Sequence, residues 1–157
     1  MQNALNALSP DIKLEPQNAT ANVDVYIKCD NMLSMSLSTN SVTFDNFSGV
    51  EDLPMPNAVE LTIDSSLAYD VKASLATKIE NKDKNKEMRL DILNIKTSDK
   101  SDTEYQTFAA IETPITLVDT AVAGNNKTHN VDLMLKGNIA FDKDVYKTTI
   151  KFEASQK

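Results

Sequence analysis

From residue 22 to the end, the chain is written in a period of two. Val23, Val25, Ile27 and Cys29 fall on one side of an extended backbone, and Asp24, Tyr26 and Lys28 on the other. The pattern returns at Leu33, Met35 and Leu37 against Ser34, Ser36 and Ser38, and at Val59, Leu61 and Ile63 against Glu60, Thr62 and Asp64. It continues at Tyr69, Val71, Ala73 and Leu75, at Val131, Leu133 and Leu135, and in the closing run 144–157. Successive side chains of a strand point to opposite faces, so such runs are half-buried β-strands rather than helices. About nine short strands at regular spacing predict an all-β, antiparallel, two-sheet sandwich.

The breaks between runs carry the turn chemistry. With three glycines and five prolines in 157 residues, turns must be built from Asn, Asp and Ser, which hydrogen-bond to nearby backbone and tolerate the left-handed region. Asn125–Asn126 after Gly124 reads as a turn. Ser65–Ser66 reads as the break of a hairpin whose arms are 59–64 and 69–75. Pro54 and Pro56 exclude a central strand over 49–57 and point to a connection or an edge. The mixed charges of 78–89 predict a solvated loop or hairpin tip, and a short helix over 87–93 is the alternative to a strand there. Residues 1–20 differ in texture and predict an extended N-terminal arm ahead of one domain over 21–157.

Little in the chain can carry chemistry. A net charge of -7 opposes the clustered Lys and Arg that phosphate backbones require, so nucleic acid is excluded as a partner. No stretch approaches the roughly 20 apolar residues of a membrane span. There is also no leader pattern, so on export Met1 would stand where a leader was removed. The one histidine, His129, follows a polar turn and has no Cys or second His at ligand spacing. Three glycines cannot build a phosphate loop, and Asp142–Lys143–Asp144 lacks the spacing of a calcium loop. No catalytic residue, metal or cofactor is therefore assigned. Cys29, on the apolar side of its run, reads as a buried inert thiol, with an intermolecular disulfide as the sharper alternative. The Asn-x-Ser/Thr triplets at Asn18, Asn46 and Asn126 match chance in so Asn-rich a chain.

The opening valine-rich run, the serine-alternating run leading to Val42–Thr43–Phe44, the Tyr69–Asp70–Val71 strand and the ending Tyr146 to Phe152 together resemble secreted pilin-like β-sandwich proteins. Spore-coat-protein-U-like domains, alpha-class fimbrial subunits and clostridial-type surface proteins of Gram-positive bacteria are of this kind. The resemblance covers roughly 22–157. The paired cysteines of the first type and the paired tryptophan motif of the Gram-positive type are both missing. The resemblance implies an immunoglobulin-like (pilin-type) antiparallel β-sandwich and a non-enzymatic structural subunit of an extracellular fibre, pilus or spore appendage on a bacterial cell or spore surface. Such subunits polymerise with copies of themselves by β-strand addition.

On this expectation Leu5, Leu8, Ile12 and Leu14 of the arm are the donor residues, and Tyr146, Thr148, Ile150 and Phe152 the acceptor edge. The other reading is a monomeric cell-surface adhesin or carbohydrate-binding module that takes glycans through Tyr26, Tyr105 or Phe47. A hydrolase built on paired acids is a third.

Overall fold

Each alternating run needs a surface on which to bury one face, and most of them find it between two layers of strands. The computed structural model describes residues 15–98 and 104–157. It is all-β, with antiparallel sheets in a sandwich-like arrangement and no α-helix among the described residues. In chain order the strands are β1 (Leu33–Leu37), β2 (Leu53–Ser65), β3 (Tyr69–Leu75), β4 (Ile79–Asn81), β5 (Glu87–Met88) and β6 (Leu93–Thr97). They continue with β7 (Gln106–Thr107), β8 (Ile115–Ala121), β9 (Gly124–Leu135), β10 (Tyr146–Lys147) and β11 (Ile150–Gln156). One layer has the order β1-β2-β9-β6-β7. The other is β11-β3-β8, carried on at one end by the small sheet β10-β4-β5.

The core is the inward half of each run. Val59, Leu61 and Ile63 from β2 meet Tyr69, Val71, Ala73 and Leu75 from β3, all buried, with Ile95, Phe108 and Val131 beside them. Truncating a fully buried leucine such as Leu61 to alanine is expected to cost about 2–5 kcal/mol, the lost transfer energy plus the cavity left behind.

The pairing differs from the reading in several places. Residues 59–65 and 69–75 are not a hairpin. β2 pairs with β1 and β9, β3 pairs with β11 and β8, and residues 66–68 arch from one layer to the other. Alternation states which face is buried, and it is the same for a hairpin and for an arch. Asn125–Asn126 is not a turn either: both residues lie within β9, where Asn126 takes a φ of 52° and its N–H bonds Asp64 at 2.6 Å. The register of β2 against β9 slips there.

Pro54 and Pro56 do belong to a strand, β2, but to the part beyond the reach of β1, which pairs only with 61–65. That half of β2 has β9 on one side and no strand on the other among the described residues, so the prolines cost no ladder bond there. The charged run forms the small β4–β5 hairpin, closed by a Lys78–Glu87 ion pair at 2.9 Å. Where a short helix over 87–93 is the alternative to a strand, the chain forms β5, a 3-10 turn over Leu90–Ile92 and the start of β6.

The largest departure is the first run. Residues 22–29 form no strand. Val23, Val25 and Ile27 are 83%, 73% and 80% exposed, and Cys29, expected to be buried, is exposed as well. The sequence equips this segment for a half-buried strand, yet no strand pairs with it among the described residues.

Candidate assembly edge

The closing run folds as two consecutive strands with one break. β10 pairs with β4 (Tyr146 opposite Asn81) and β11 with β3 (Ile150 opposite Leu75 through Gln156 opposite Tyr69). At the break between them, Ala76 N–H bonds the Thr149 carbonyl at 2.8 Å and the Thr148 hydroxyl bonds the Thr77 carbonyl at 2.8 Å. From Tyr146 to Lys157 the even-numbered residues are half-buried and the odd-numbered ones exposed. Tyr146, Thr148, Ile150 and Phe152 therefore lie on one face, as the alternation predicts. Tyr146, Ile150, Phe152 and Ala154 pack against the core from there.

The hydrogen-bond parity of β11 decides what its other side offers. Thr149 directs its carbonyl to Ala76, and Lys157 directs its N–H to Ala68 at 2.9 Å. In an antiparallel ladder the N–H and C=O of one residue point the same way and alternate along the strand. Residues 151, 153 and 155 thus face β3, while Ile150, Phe152 and Ala154 turn their N–H and C=O outward. β11 is the edge of its sheet, and no strand pairs with those outward groups among the described residues. An unpaired row of this kind is a template for a further strand.

Both ends of the edge are pinned. At one end Phe47 stacks on Phe141 with centroids 5.5 Å apart, and Phe141 meets Tyr146 edge-on at 6.4 Å. The Tyr146 hydroxyl donates to the Asp142 carbonyl at 2.7 Å. Asp144 accepts from its neighbour Val145 N–H, from the Asn81 amide at 3.0 Å and from Lys86 at 3.3 Å. These bonds, the Val145 N–H first, hold its carboxyl below the usual aspartate range. Asp142–Lys143–Asp144 is therefore a braced turn. No group of three metal-ligating side chains occurs among the described residues. At the other end Gln156 Nε2 donates to the Met32 carbonyl at 2.7 Å, which ties β11 to the start of β1 in the opposite layer.

Other residues singled out in the sequence lie elsewhere. Leu5, Leu8, Ile12 and Leu14 are outside the described residues. Cys29, the single cysteine of the sequence, is in the exposed segment. His129 is not a surface turn residue: it belongs to β9, half-buried, and its Nε2 shares a 2.7 Å hydrogen bond with the hydroxyl of buried Tyr69. Of the aromatic residues considered for glycans, Phe47 is stacked on Phe141 and Tyr105 lies under Lys96 at 4.7 Å. Burial raises the Tyr105 phenol above its ordinary value. Tyr26 alone of the three stands free, at 84% exposure. A shallow hollow of about 420 Å³ on the outer face of β3 and β11 is lined by Lys72, Lys151, Glu112 and Glu153, charges of both signs with no aromatic floor.

Sequence reasoning missed Gln156, which no pattern marks as a clasp. It also misjudged residues 22–29, whose signal was visible but was taken to mean burial within the same chain. The architecture is thus an all-β, sandwich-like arrangement in which β11 is a regular edge with no strand on its outer side among the described residues. No protein-family model matches the chain, and no curated protein sequence matches it significantly.

Proposed function

We propose that this chain is a non-enzymatic structural subunit of an extracellular fibre, with an immunoglobulin-like, pilin-type sandwich that assembles by strand addition between copies. The observation that carries the reading is the β11 edge. Its backbone groups point outward, its side chains at Ile150, Phe152 and Ala154 are half-buried on the core side, and an incoming strand would complete both the ladder and the core. The resemblance to pilin-like surface proteins supports a place on a bacterial cell or spore surface.

The test is a concentration series of the full chain followed by negative-stain microscopy and sedimentation. Filaments that grow with concentration are expected. A monomer at every concentration, combined with selective signal on a glycan array, would replace this reading with that of an adhesin.

A further inference from the structure

The fibre reading leaves the donor open, and the structure offers one within the described residues. We propose that residues 22–29 of one copy are the strand that completes the β11 edge of the next copy, running antiparallel to it. This rests on the reading of strand addition and goes beyond it by reassigning the donor from the 1–20 arm.

Val23, Val25, Tyr26 and Ile27 are each at least 73% exposed in an extended segment that pairs with nothing among the described residues. A segment that keeps one apolar face in water is short of a partner rather than complete.

Four alternate donor residues match four alternate acceptor residues: Val23 abreast of Phe152, Val25 of Ile150, Ile27 of Thr148 and Cys29 of Tyr146. That register sets Asp24 abreast of Lys151 on the solvent face. The like pair Lys28 and Lys147 stays in water, where salt screens it. It also turns the inward faces of donor and edge to the same side, as the period of two requires.

β1 is antiparallel to β2, the 66–68 arch joins β2 to β3, and β11 is antiparallel to β3. β11 therefore ends where β1 begins, and Gln156 clasps Met32 at that point. To reach its own β11, the chain before Met32 would have to double back through residues 30–32 and lie parallel to the strand. Continued straight on, it enters a copy stacked on that end and runs antiparallel to that copy's β11, the stronger pairing. The contact is head-to-tail and does not close on itself, so it propagates as a filament.

Three chains are compared by sedimentation and microscopy: the parent, a deletion of residues 1–20, and Val25→Asp/Ile27→Asp. The deletion is expected to polymerise like the parent. The double variant is expected to lose sedimentable polymer at least tenfold while its melting temperature stays put, since both sites are solvent-exposed in the monomer. Undiminished polymer from the double variant overturns this inference and leaves the fibre reading standing. A parent that never polymerises overturns both.

A thiol trap fixes the partner strand. Cys29→Ser/Val25→Cys is mixed with Cys29→Ser/Ile150→Cys under oxidised glutathione, and a disulfide-linked heterodimer is expected. If the mixture stays monomeric, and a single chain carrying both new thiols closes an internal disulfide at high dilution instead, the segment straps its own edge and the inference fails.

Discussion

The sheet that holds the candidate site has two edges, and they are built oppositely. β11 runs seven residues against β3 without a slip in register. β8, on the far side of β3, slips twice within its pairing, between Tyr69 and Val71 and again between Val71 and Lys72. Thr120 of β8 sits at a φ of 52°, its N–H held by Asp70 at 2.7 Å. Lys157 then bridges Asp70 at 3.3 Å and Asp119 at 3.1 Å across that edge. Bulges and charges are how natural sheets blunt an edge, and β8 has both. β11 carries its charges, Lys151 and Glu153, on the solvent face and leaves its outward backbone regular. One sheet thus protects one edge and leaves the other fit for pairing.

The most severe way to break the contrast is to remove one outward N–H from β11. Ile150→Pro deletes an N–H that the β3 ladder does not use and that lies abreast of Val25 of the donor, so assembly is expected to fall below detection by sedimentation. Monomer stability should fall by less than about 2 kcal/mol in urea, because proline is tolerated at a sheet edge. If filaments persist, β11 is not the acceptor.

Next is Phe152→Ala. Its ring is half-buried, so about half the usual cost of a core phenylalanine, roughly 2 kcal/mol, should appear in the denaturation midpoint. Filaments should also become more salt- and temperature-sensitive, as donor and acceptor share the lost contact.

A smaller effect tests the protected edge. A β-branched residue in the left-handed region is strained by about 1–2 kcal/mol, partly offset in glycine by its greater unfolded-state entropy. Thr120→Gly is therefore expected to change stability by under about 1 kcal/mol in the stabilising direction, without creating a new assembly mode. Polymers that ignore an Ile150→Pro block in this background would show that the bulge was what kept β8 closed.

The smallest effect is electrostatic. The Thr120 hydroxyl, followed by Lys157, lowers the Asp119 pKa, and Asp119 and Asp70 raise that of Lys157. A depressed carboxylate contributes above its unfolded pKa and loses that contribution as pH falls through the folded value. A raised lysine contributes below its unfolded pKa and loses it as pH rises through the folded value. The clamp should therefore hold between the ordinary aspartate and lysine ranges. Protection of the Thr120 amide, its exchange rate relative to the intrinsic rate at the same pH, should be greatest within that window and fall as the pH leaves it at either end. Asp119→Asn should speed that exchange at neutral pH with no measurable shift in the denaturation midpoint, because exposed ion pairs contribute little.

The all-β class, the inward residues of β2, β3, β9 and β11, and the face shared by Tyr146, Thr148, Ile150 and Phe152 were legible from the period of two alone. That period is a property of the extended backbone, and it holds whatever lies alongside. Partners were not legible, since a strand carries the same alternation in a hairpin, an arch or an edge. Only the folded chain separated β2 from β3 into different layers, made Asn126 a bulge and not a turn, and used Gln156 to join β11 to Met32. For the same reason, residues 22–29 were written as a strand by their sequence and left in solvent by their own fold. Alternation is local and sequence states it; pairing depends on which edges remain unfilled when the layers close, and that is decided only in three dimensions.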